Sequence, residues 1–257
     1  MQTQDYTDLY ALEEELWWFA GMREITAALL DPLFPAPADR VILDAGCGTG
    51  GNLDWLRRYA GGGRVVGIDL VGTALSFCRE RGHARLAQAS VTDLPFADCA
   101  FDLVTSFDVL VQVPGAGADE QAMREMCRVL RPGGILFARA AAYEWMRSGH
   151  DEALGTARRY ALGELAARLQ GAGFRLRRAT YANSLLLPVA ALRRLLLKRV
   201  GLADRGSDVK PLPPRLAWLN RTLTGVLGHE ARRLQNPSSR YGAGLSAICV
   251  AEKISDP

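Results

Sequence analysis

The sequence lacks several features that would assign it to a class of protein at once. Its 257 residues include five cysteines, an odd number, which are widely spaced and form no CxxC pair. This pattern favours neither a disulfide framework nor a zinc site, so no metal is expected. No apolar run approaches the length that spans a bilayer. The first five residues are polar and acidic rather than basic and then apolar, so no signal peptide is expected and the protein is expected to be cytoplasmic.

A strong excess of one charge is also missing. Lys and Arg together number 31 against 28 Asp and Glu, which gives a formal net charge of +3. The basic residues are spread along the chain and no aromatic-rich RNA-binding segment occurs, so no nucleic-acid partner is expected. Apolar residues make up 49% of the chain, a share and length that suit one α/β domain with an appendage, or two small lobes.

The middle of the chain alternates between apolar runs and amphipathic segments. Alternation of this kind predicts a parallel sheet that is covered by helices on both faces. The predicted strands are 40–45, 64–69, 84–89, 101–107, 134–140 and 174–182. The predicted helices between them are 51–60, 72–81, 118–130 and 161–171.

Helical periodicity on both sides of this core divides the chain into four parts. Residues 1–39 are expected to form an N-terminal helical cap, and 40–183 the core. Residues 184–240 carry two apolar helical patterns, each beginning with proline, and are expected to form a helical insertion or lid. Residues 241–257 would then supply the final strand of the core.

The most informative segment is Val41–Gly50, an apolar run that ends in Asp44 and leads into a glycine-rich turn. Only glycine lets the backbone approach a ligand closely in such a turn, and the helix that follows favours an anionic group. The turn satisfies two patterns, GxGxxG of dinucleotide-binding proteins and DxGxGxG. On its own it therefore leaves a dinucleotide, another nucleoside ligand and a purely structural βα turn open.

Four further segments follow in a fixed order: Val65–Asp69, Ala89–Phe96, Phe101–Leu110 and Val129–Phe137. Together with the DxGxGxG turn, they resemble the signature segments of class I S-adenosylmethionine-dependent methyltransferases. The resemblance implies a Rossmann-like, seven-stranded, mostly parallel sheet with an antiparallel last strand, and S-adenosylmethionine as cofactor. A nicotinamide oxidoreductase would also place an acid at Asp69, but would need none of the last three segments.

The flanking segments resemble a bacterial subgroup of these enzymes that is associated with small-molecule, natural-product or cell-surface glycan biosynthesis. The segments are Glu13–Gly21, His150–Gly155, Arg158–Tyr160 and Tyr181–Pro188. This wider resemblance covers almost the whole chain, and it specifies the cofactor better than the acceptor.

The resemblance also implies which residues bind the cofactor. Asp69 would accept both ribose hydroxyl groups, and Ser90 stands where many relatives carry the acid that contacts adenine, so Ser90 or Asp93 would have to serve. The expected cofactor-binding residues are Asp44, Gly46, Cys47, Gly48, Asp69, Leu70, Ser90, Val91, Phe107 and Gln112.

The reaction implied is in-line attack of an acceptor atom on the sulfonium methyl group, for which the protein mainly supplies alignment and exclusion of water. Gln112 stands where many relatives have a histidine, which removes one candidate base. His150 is then the candidate base, against a role as a hydrogen-bonded loop residue. Asp108 would contact cofactor or acceptor, or cap the next helix. His83 is expected in a solvated loop and His229 on a helix surface.

The acceptor pocket is expected between the N-terminal helices, the loop 141–160 and the insertion. Its candidate aromatic residues are Trp18, Tyr160, Tyr181 and Tyr241. Such a lining favours a small hydrophobic or amphiphilic acceptor, with an oxygen atom as the favoured methylation site.

Two alternatives remain at this point. Residues 185–199 combine leucines with basic residues, as do helices that lie on anionic bilayers, so the acceptor would be a lipid or lipid-linked glycan. A lid that buries those leucines over the acceptor is favoured instead. The missing histidine also leaves open a cofactor-binding protein that catalyses a reaction other than methyl transfer.

Overall fold

The structure is a computed structural model that describes residues 3–35, 38–199 and 216–254, without the side chains of residues 3, 4, 150 and 195–199. Strands and helices alternate through its centre, as the sequence predicts. The strands are β1 (Val41–Ala45), β2 (Arg64–Asp69), β3 (Leu86–Gln88), β4 (Phe101–Phe107), β5 (Leu130–Ala141), β6 (Phe174–Ala182) and β7 (Ser246–Lys253). The helices are α1 (Thr3–Glu15), α2 (Trp17–Leu30), α3 (Leu53–Ala60), α4 (Gly72–Glu80), α5 (Ala118–Val129), α6 (Gly149–Leu154), α7 (Leu162–Gly171), α8 (Leu187–Arg199) and α9 (Ala217–Leu234).

The seven strands form one sheet in the order β3-β2-β1-β4-β5-β7-β6. β1 pairs in parallel with both β2 and β4, and β5 continues the parallel set beside β4. β7 is antiparallel to its neighbours β5 and β6. The predicted Rossmann-like sheet with an antiparallel last strand is therefore confirmed.

The strand order brings functional candidates together at one edge of the sheet. β1 and β4 lie at its centre, and the chain order changes direction there, which in open α/β sheets marks the ligand crevice at the carboxyl ends of the strands. Asp44 and Asp69 lie at the ends of β1 and β2, while Asp108 directly follows β4. Phe107 in β4 is paired with Arg139 in β5.

The N-terminal helices cover this edge and one face of the sheet. α2 packs along α9, and its buried side chains include Met22, Ile25 and Leu29. α1 lies against α4, where the rings of Tyr10 and Phe77 are 5.0 Å apart. The two N-terminal helices are therefore packed on different helices of the domain, α1 on α4 and α2 on α9.

The expectation that residues 185–199 form a lid that buries its leucines over the acceptor stays a prediction, and three apolar side chains of this segment are exposed in the structure. Val189 is 68% exposed, and Leu185 and Leu192 are also exposed. α9 takes the packing position instead, because its buried residues Leu227, Ala231 and Leu234 fit against α2. None of the described helices is both long enough and apolar enough to cross a membrane.

Candidate cofactor and acceptor site

The turn after β1 is held close to β2 by its backbone. The amides of Gly46 and Cys47 both donate to the carbonyl oxygen of Ile68, at 2.9 and 2.7 Å. Gly46 has φ +87°, a conformation that favours glycine, and a Cβ atom there would lie 2.3 Å from Cγ2 of Val109. A side chain at Gly46 would therefore push this turn away from the end of β4.

Asp69 ties the same turn to the start of α4. Its Oδ2 accepts the amide of Gly48 at 2.9 Å, and its Oδ1 accepts the amide of Val71 at 2.9 Å. Burial nevertheless raises the pKa of this carboxyl, and these amide hydrogen bonds act in the opposite direction. The next side chain, Leu70, is 66% exposed, so an apolar surface lies beside the carboxylate.

Asp44 lies deeper in the structure, at the end of β1. Its carboxyl is buried, and its Oδ1 accepts the hydroxyl of Thr105 at 2.8 Å. Burial raises the pKa of Asp44 to about 7, against the effect of the Thr105 hydrogen bond. The site therefore contains an acid whose charge is costly until a cation approaches it.

Glu13 reaches from α1 to the entry of α3. Its buried carboxylate accepts the amide of Gly51 at 3.0 Å and the hydroxyl of Thr49 at 2.5 Å. Amides at the start of a helix favour such an anion. Burial raises the pKa of Glu13, while Thr49, Arg81 and Arg23 act against that rise. α1 is thus fastened to the glycine-rich turn through one carboxylate.

Tyr6 places a second part of α1 close to the cofactor candidates. Its ring is buried, and burial, followed by the charges of Asp69 and Asp5, raises the pKa of the phenol to about 12. Leu9 also reaches the turn, because its Cδ2 lies 3.7 Å from the position of a Cβ at Gly48. α1 therefore covers the glycine turn in this structure.

An ion pair lies at the ends of β4 and β5. Nε of Arg139 donates to Oδ2 of Asp108 at 2.7 Å, and the Asp108 amide donates to the Arg139 carbonyl at 2.9 Å. Asp108 has φ +58°, which is uncommon outside glycine. The guanidinium carbon is 4.7 Å from the ring centroid of Trp18 and 5.0 Å from that of Phe107.

Comparison with known proteins finds the same kind of domain. Residues 43–138 match a family described as "Methyltransferase domain". A fatty-acid O-methyltransferase of Mycolicibacterium smegmatis is 32% identical over 121 residues, which are 44% of this chain and 43% of that protein. A protein of the same organism named "Probable S-adenosylmethionine-dependent methyltransferase" is 29% identical over 166 residues, 63% of this chain and 61% of its own length.

A solved structure extends the likeness of fold. The crystal structure of the cyclase SpnF superposes with a TM-score of 0.55 at 24% identity, covering 91% of this chain and 81% of that one. Residues 43–138 are therefore similar in sequence to a methyltransferase domain, and the sheet to which they contribute has the matching Rossmann-like fold. The chain spans less than two thirds of the length of these curated relatives.

The residues at the edge of the methyltransferase domain fit its cofactor. Asp44 offers a buried carboxylate that suits an ammonium group, and Asp69 offers a half-buried one that suits hydroxyl donors. The exposed side chain of Leu70 offers apolar contact. Two acids of different burial, beside a glycine turn, match a ligand that combines an amino acid with a nucleoside.

The other expected cofactor residues are placed as follows. The backbone of Cys47 forms part of the turn. Its side chain is buried, and its Sγ lies 3.8 Å from Sγ of Cys78. Ser90 shares a 2.7 Å hydrogen bond with Thr92 in a tight turn, and Asp93 beside it is exposed. The remaining three are the core residue Val91, the half-buried Phe107 and the exposed Gln112.

The aromatic acceptor candidates fall into two groups. Trp18 lies at the site, against Arg139. Tyr181 and the half-buried Tyr241 lie at the end of β6, where Tyr181 stacks on Tyr143 with a centroid distance of 5.1 Å. Tyr160 differs, because its ring is fully buried and its hydroxyl donates to Asp119 at 2.6 Å. Its environment is that of a core residue.

The histidines are distributed differently from expectation. The backbone of His150 lies in α6, and its side chain is outside the described part of the structure. His83 is buried rather than solvated, because α4 and the turn at Gly50 enclose it, and burial lowers its pKa. His229 is exposed on α9, as expected.

Sequence reasoning missed Glu13 and Arg139. Arg139 carried a readable signal, since it is a charged residue inside the apolar run Ile135–Ala142, in a strand expected to be buried. Glu13 carried none, because it is one of three consecutive glutamates and only the tertiary packing of α1 selects it.

Proposed function

We propose that this protein transfers a methyl group from S-adenosylmethionine to a small hydrophobic or amphiphilic molecule, with oxygen as the acceptor atom. The observation that carries the proposal is the paired placement of Asp44 and Asp69 at the ends of adjacent strands, with the turn that follows Asp44 hydrogen-bonded to Asp69 and Ile68. The sulfonium cofactor supplies an already activated methyl group, so the protein contributes mainly binding and orientation.

Each part of the site has a role in this proposal. Asp44 holds the ammonium group of the cofactor and Asp69 its ribose hydroxyls, while Leu70 covers its base. α1 shields the glycine turn from water through Leu9 and Glu13. Trp18 and Phe107 line the side toward the acceptor. The match to a fatty-acid O-methyltransferase supports an oxygen acceptor on an amphiphilic molecule.

Release of S-adenosylhomocysteine tests this function. Purified protein is incubated with S-adenosylmethionine and a panel of fatty acids, phenols and polyketide-type alcohols, and the product is quantified with Asp44→Ala as control. Acceptor-dependent release that Asp44→Ala abolishes supports the proposal. Cofactor binding without release for every acceptor class would favour a non-methyl-transfer reaction, such as the cyclisation named for the structural neighbour SpnF.

A second candidate function is methylation of a lipid or lipid-linked glycan at a membrane surface. The observation that favours it is an exposed apolar stripe at the start of α8, formed by Leu185 in the preceding turn and by Val189 and Leu192 in the helix, with Arg193 beside it. Apolar side chains next to cations are typical of helices that lie on anionic bilayers. α8 would then bring the site to a bilayer-borne acceptor.

Co-sedimentation with vesicles tests this second function. Wild-type protein should pellet with phosphatidylglycerol vesicles more than with phosphatidylcholine vesicles, and Val189→Asp should reduce pelleting because it places a charge in the stripe. Ser76→Asp, on the exposed face of α4, is the matched control. Equal pelleting of wild type and Val189→Asp would exclude α8 as a membrane contact.

A further inference from the structure

Arg139 is a buried cation in an otherwise apolar stretch of strand. The residue is 6% exposed, and its neighbours Ala138 and Ala140 are fully buried. Burying a guanidinium group is costly unless its donors are paired. The stability of this cation near the carboxyl end of β5 therefore depends on which groups pair with its donors.

The partners of Arg139 satisfy only part of its hydrogen-bonding capacity. A guanidinium has five N–H donors, and among the described residues one of them, on Nε, donates to Asp108. Neither Nη atom donates to any residue that the structure describes, although both belong to a largely buried side chain. The rings of Trp18 and Phe107 contact the guanidinium, so its orientation is restricted.

Asp108 is a partner that a ligand can replace. Its side chain is 27% exposed, against 7% for Arg139. When Asp108 leaves the pair, water can solvate its carboxylate, whereas the buried guanidinium needs another anion. Asp108 accepts a single hydrogen bond, from Nε, so a carboxylate that accepts from both Nη atoms makes one more charge-assisted hydrogen bond than the one it replaces.

Arg139 also lies within electrostatic reach of the cofactor half of the site. Burial raises the pKa of Asp44 to about 7, and the charge of Arg139 acts against that rise. Its side chain therefore acts on the cofactor candidate Asp44 and also contacts the rings of Trp18 and Phe107.

We propose that Arg139 binds a carboxylate group of the acceptor, taking it in place of Asp108 through the two Nη donors. The inference rests on the proposed methyltransferase function and narrows its substrate class to amphiphilic molecules that carry a carboxylate. The rings of Trp18 and Phe107 fix the orientation of the planar guanidinium, so that both Nη atoms can donate to one carboxylate. Arg139 thus determines acceptor specificity, and Asp108 keeps the cation paired when no acceptor is present.

Calorimetry with a matched pair of probes tests this. Protein saturated with S-adenosylhomocysteine is titrated with decanoate and with decanol, which differ at the head group. The wild type should bind decanoate about tenfold more tightly than decanol or better, as expected for a charge-assisted bidentate contact. Arg139→Met should reduce this preference to about threefold or less. Asp108→Asn should strengthen decanoate binding by about threefold, because it removes the competing carboxylate.

Arg58→Met is the matched control. Arg58 also pairs with an aspartate, Asp31, and lies 5.5 Å from the ring centroid of Trp55, but on the exposed face of α3. It should keep the decanoate preference of the wild type. The Asp108→Asn arm keeps the test decisive if Arg139→Met fails to fold.

Three results would overturn the inference. The first is a wild type without preference for decanoate, and the second is an Asp108→Asn variant with weaker decanoate binding. The third is an Arg139→Met variant that keeps the preference but loses about tenfold in S-adenosylhomocysteine affinity, since the bound carboxylate would then be the cofactor's own. The affinity for S-adenosylhomocysteine is measured by a separate titration before the decanoate and decanol titrations. Failure of the wild type to bind S-adenosylhomocysteine there would instead refute the proposed function.

Discussion

At the scale of one residue, Asp44 is a binding-site acid whose ionised form is destabilised by burial. Its carboxyl is buried with one hydroxyl donor, Thr105, and its pKa is raised to about 7 by that burial. In the unfolded chain the same group titrates near pH 4. The folded protein therefore keeps a proton on Asp44 over a range in which the unfolded chain has lost it.

The resulting prediction concerns stability against pH. Between about pH 4 and pH 7 the unfolded state binds fewer protons, so the free energy of unfolding falls as pH rises, by up to about 1.4 kcal/mol per pH unit from this group. Asp44→Asn keeps the acceptor for Thr105 without the titration. Urea denaturation of cofactor-free protein should show wild type losing more stability than Asp44→Asn between pH 5 and pH 8.

The comparison with Asp44→Asn is necessary because burial also raises the pKa of Asp69 and Glu13. Asp69 and Glu13 are present in both proteins and change the free energy of unfolding with pH in the same direction. Their contributions therefore cancel when the pH profile of Asp44→Asn is subtracted from that of the wild type. Parallel pH profiles for wild type and Asp44→Asn would contradict the account of Asp44.

At this scale the sequence predicted that the two acids lie at the ends of strands, but it did not predict the ion pair of Arg139. Asp44 and Asp69 each end an apolar strand, a position that the pattern of residues specifies. The pairing of Arg139 with Asp108 joins two residues that are 31 positions apart in sequence, and Trp18 from a third element contacts the guanidinium. No local pattern encodes that contact.

At the scale of secondary-structure elements, the packing of α2 on α9 holds the insertion to the core. The two helices meet at Gly21, where a Cβ atom would lie 2.5 Å from both Cβ and Cδ1 of Leu227. Glycine is therefore required at this crossing by close approach rather than by its backbone conformation. Gly225, on an exposed position of α9, meets no atom within 4 Å.

A matched pair of substitutions tests this crossing. Gly225→Ala should raise the free energy of unfolding by up to about 1 kcal/mol, because alanine favours helix over glycine. Gly21→Ala gains the same propensity but overpacks the crossing, so it should lie about 1–3 kcal/mol below Gly225→Ala. Chemical denaturation measures both, and equal stabilities would show that α2 and α9 do not pack this closely.

Periodicity predicted the existence of these helices but not which of them is buried. Both α8 and α9 carry apolar residues at helical spacing, yet α9 is the helix that packs on α2. The difference arises from shape, since Gly21 admits Leu227 at close range. A pattern of apolar residues does not contain that information.

At the scale of the whole molecule, the sheet order explains why distant segments share one site. β1, β2, β4 and β5 deliver Asp44, Asp69, Asp108 and Arg139 to the same edge, and α1 and α2 cover it with Glu13 and Trp18. The sheet was predictable because most of its strands are apolar runs that alternate with amphipathic segments. The position of the covering helix α1 was not predictable, because it depends on contacts between residues far apart in sequence, such as those of Glu13 with Thr49 and Gly51.

Isothermal titration with S-adenosylhomocysteine tests the central claim most directly, with wild type, Asp69→Ala and the control Glu80→Ala at the exposed C-terminal end of α4, and with NADH as the rival ligand. The account predicts binding to wild type and Glu80→Ala, a loss of about tenfold or more in Asp69→Ala through its ribose hydrogen bonds, and no binding of NADH. An unchanged dissociation constant in folded Asp69→Ala, or tighter binding of NADH, would contradict it.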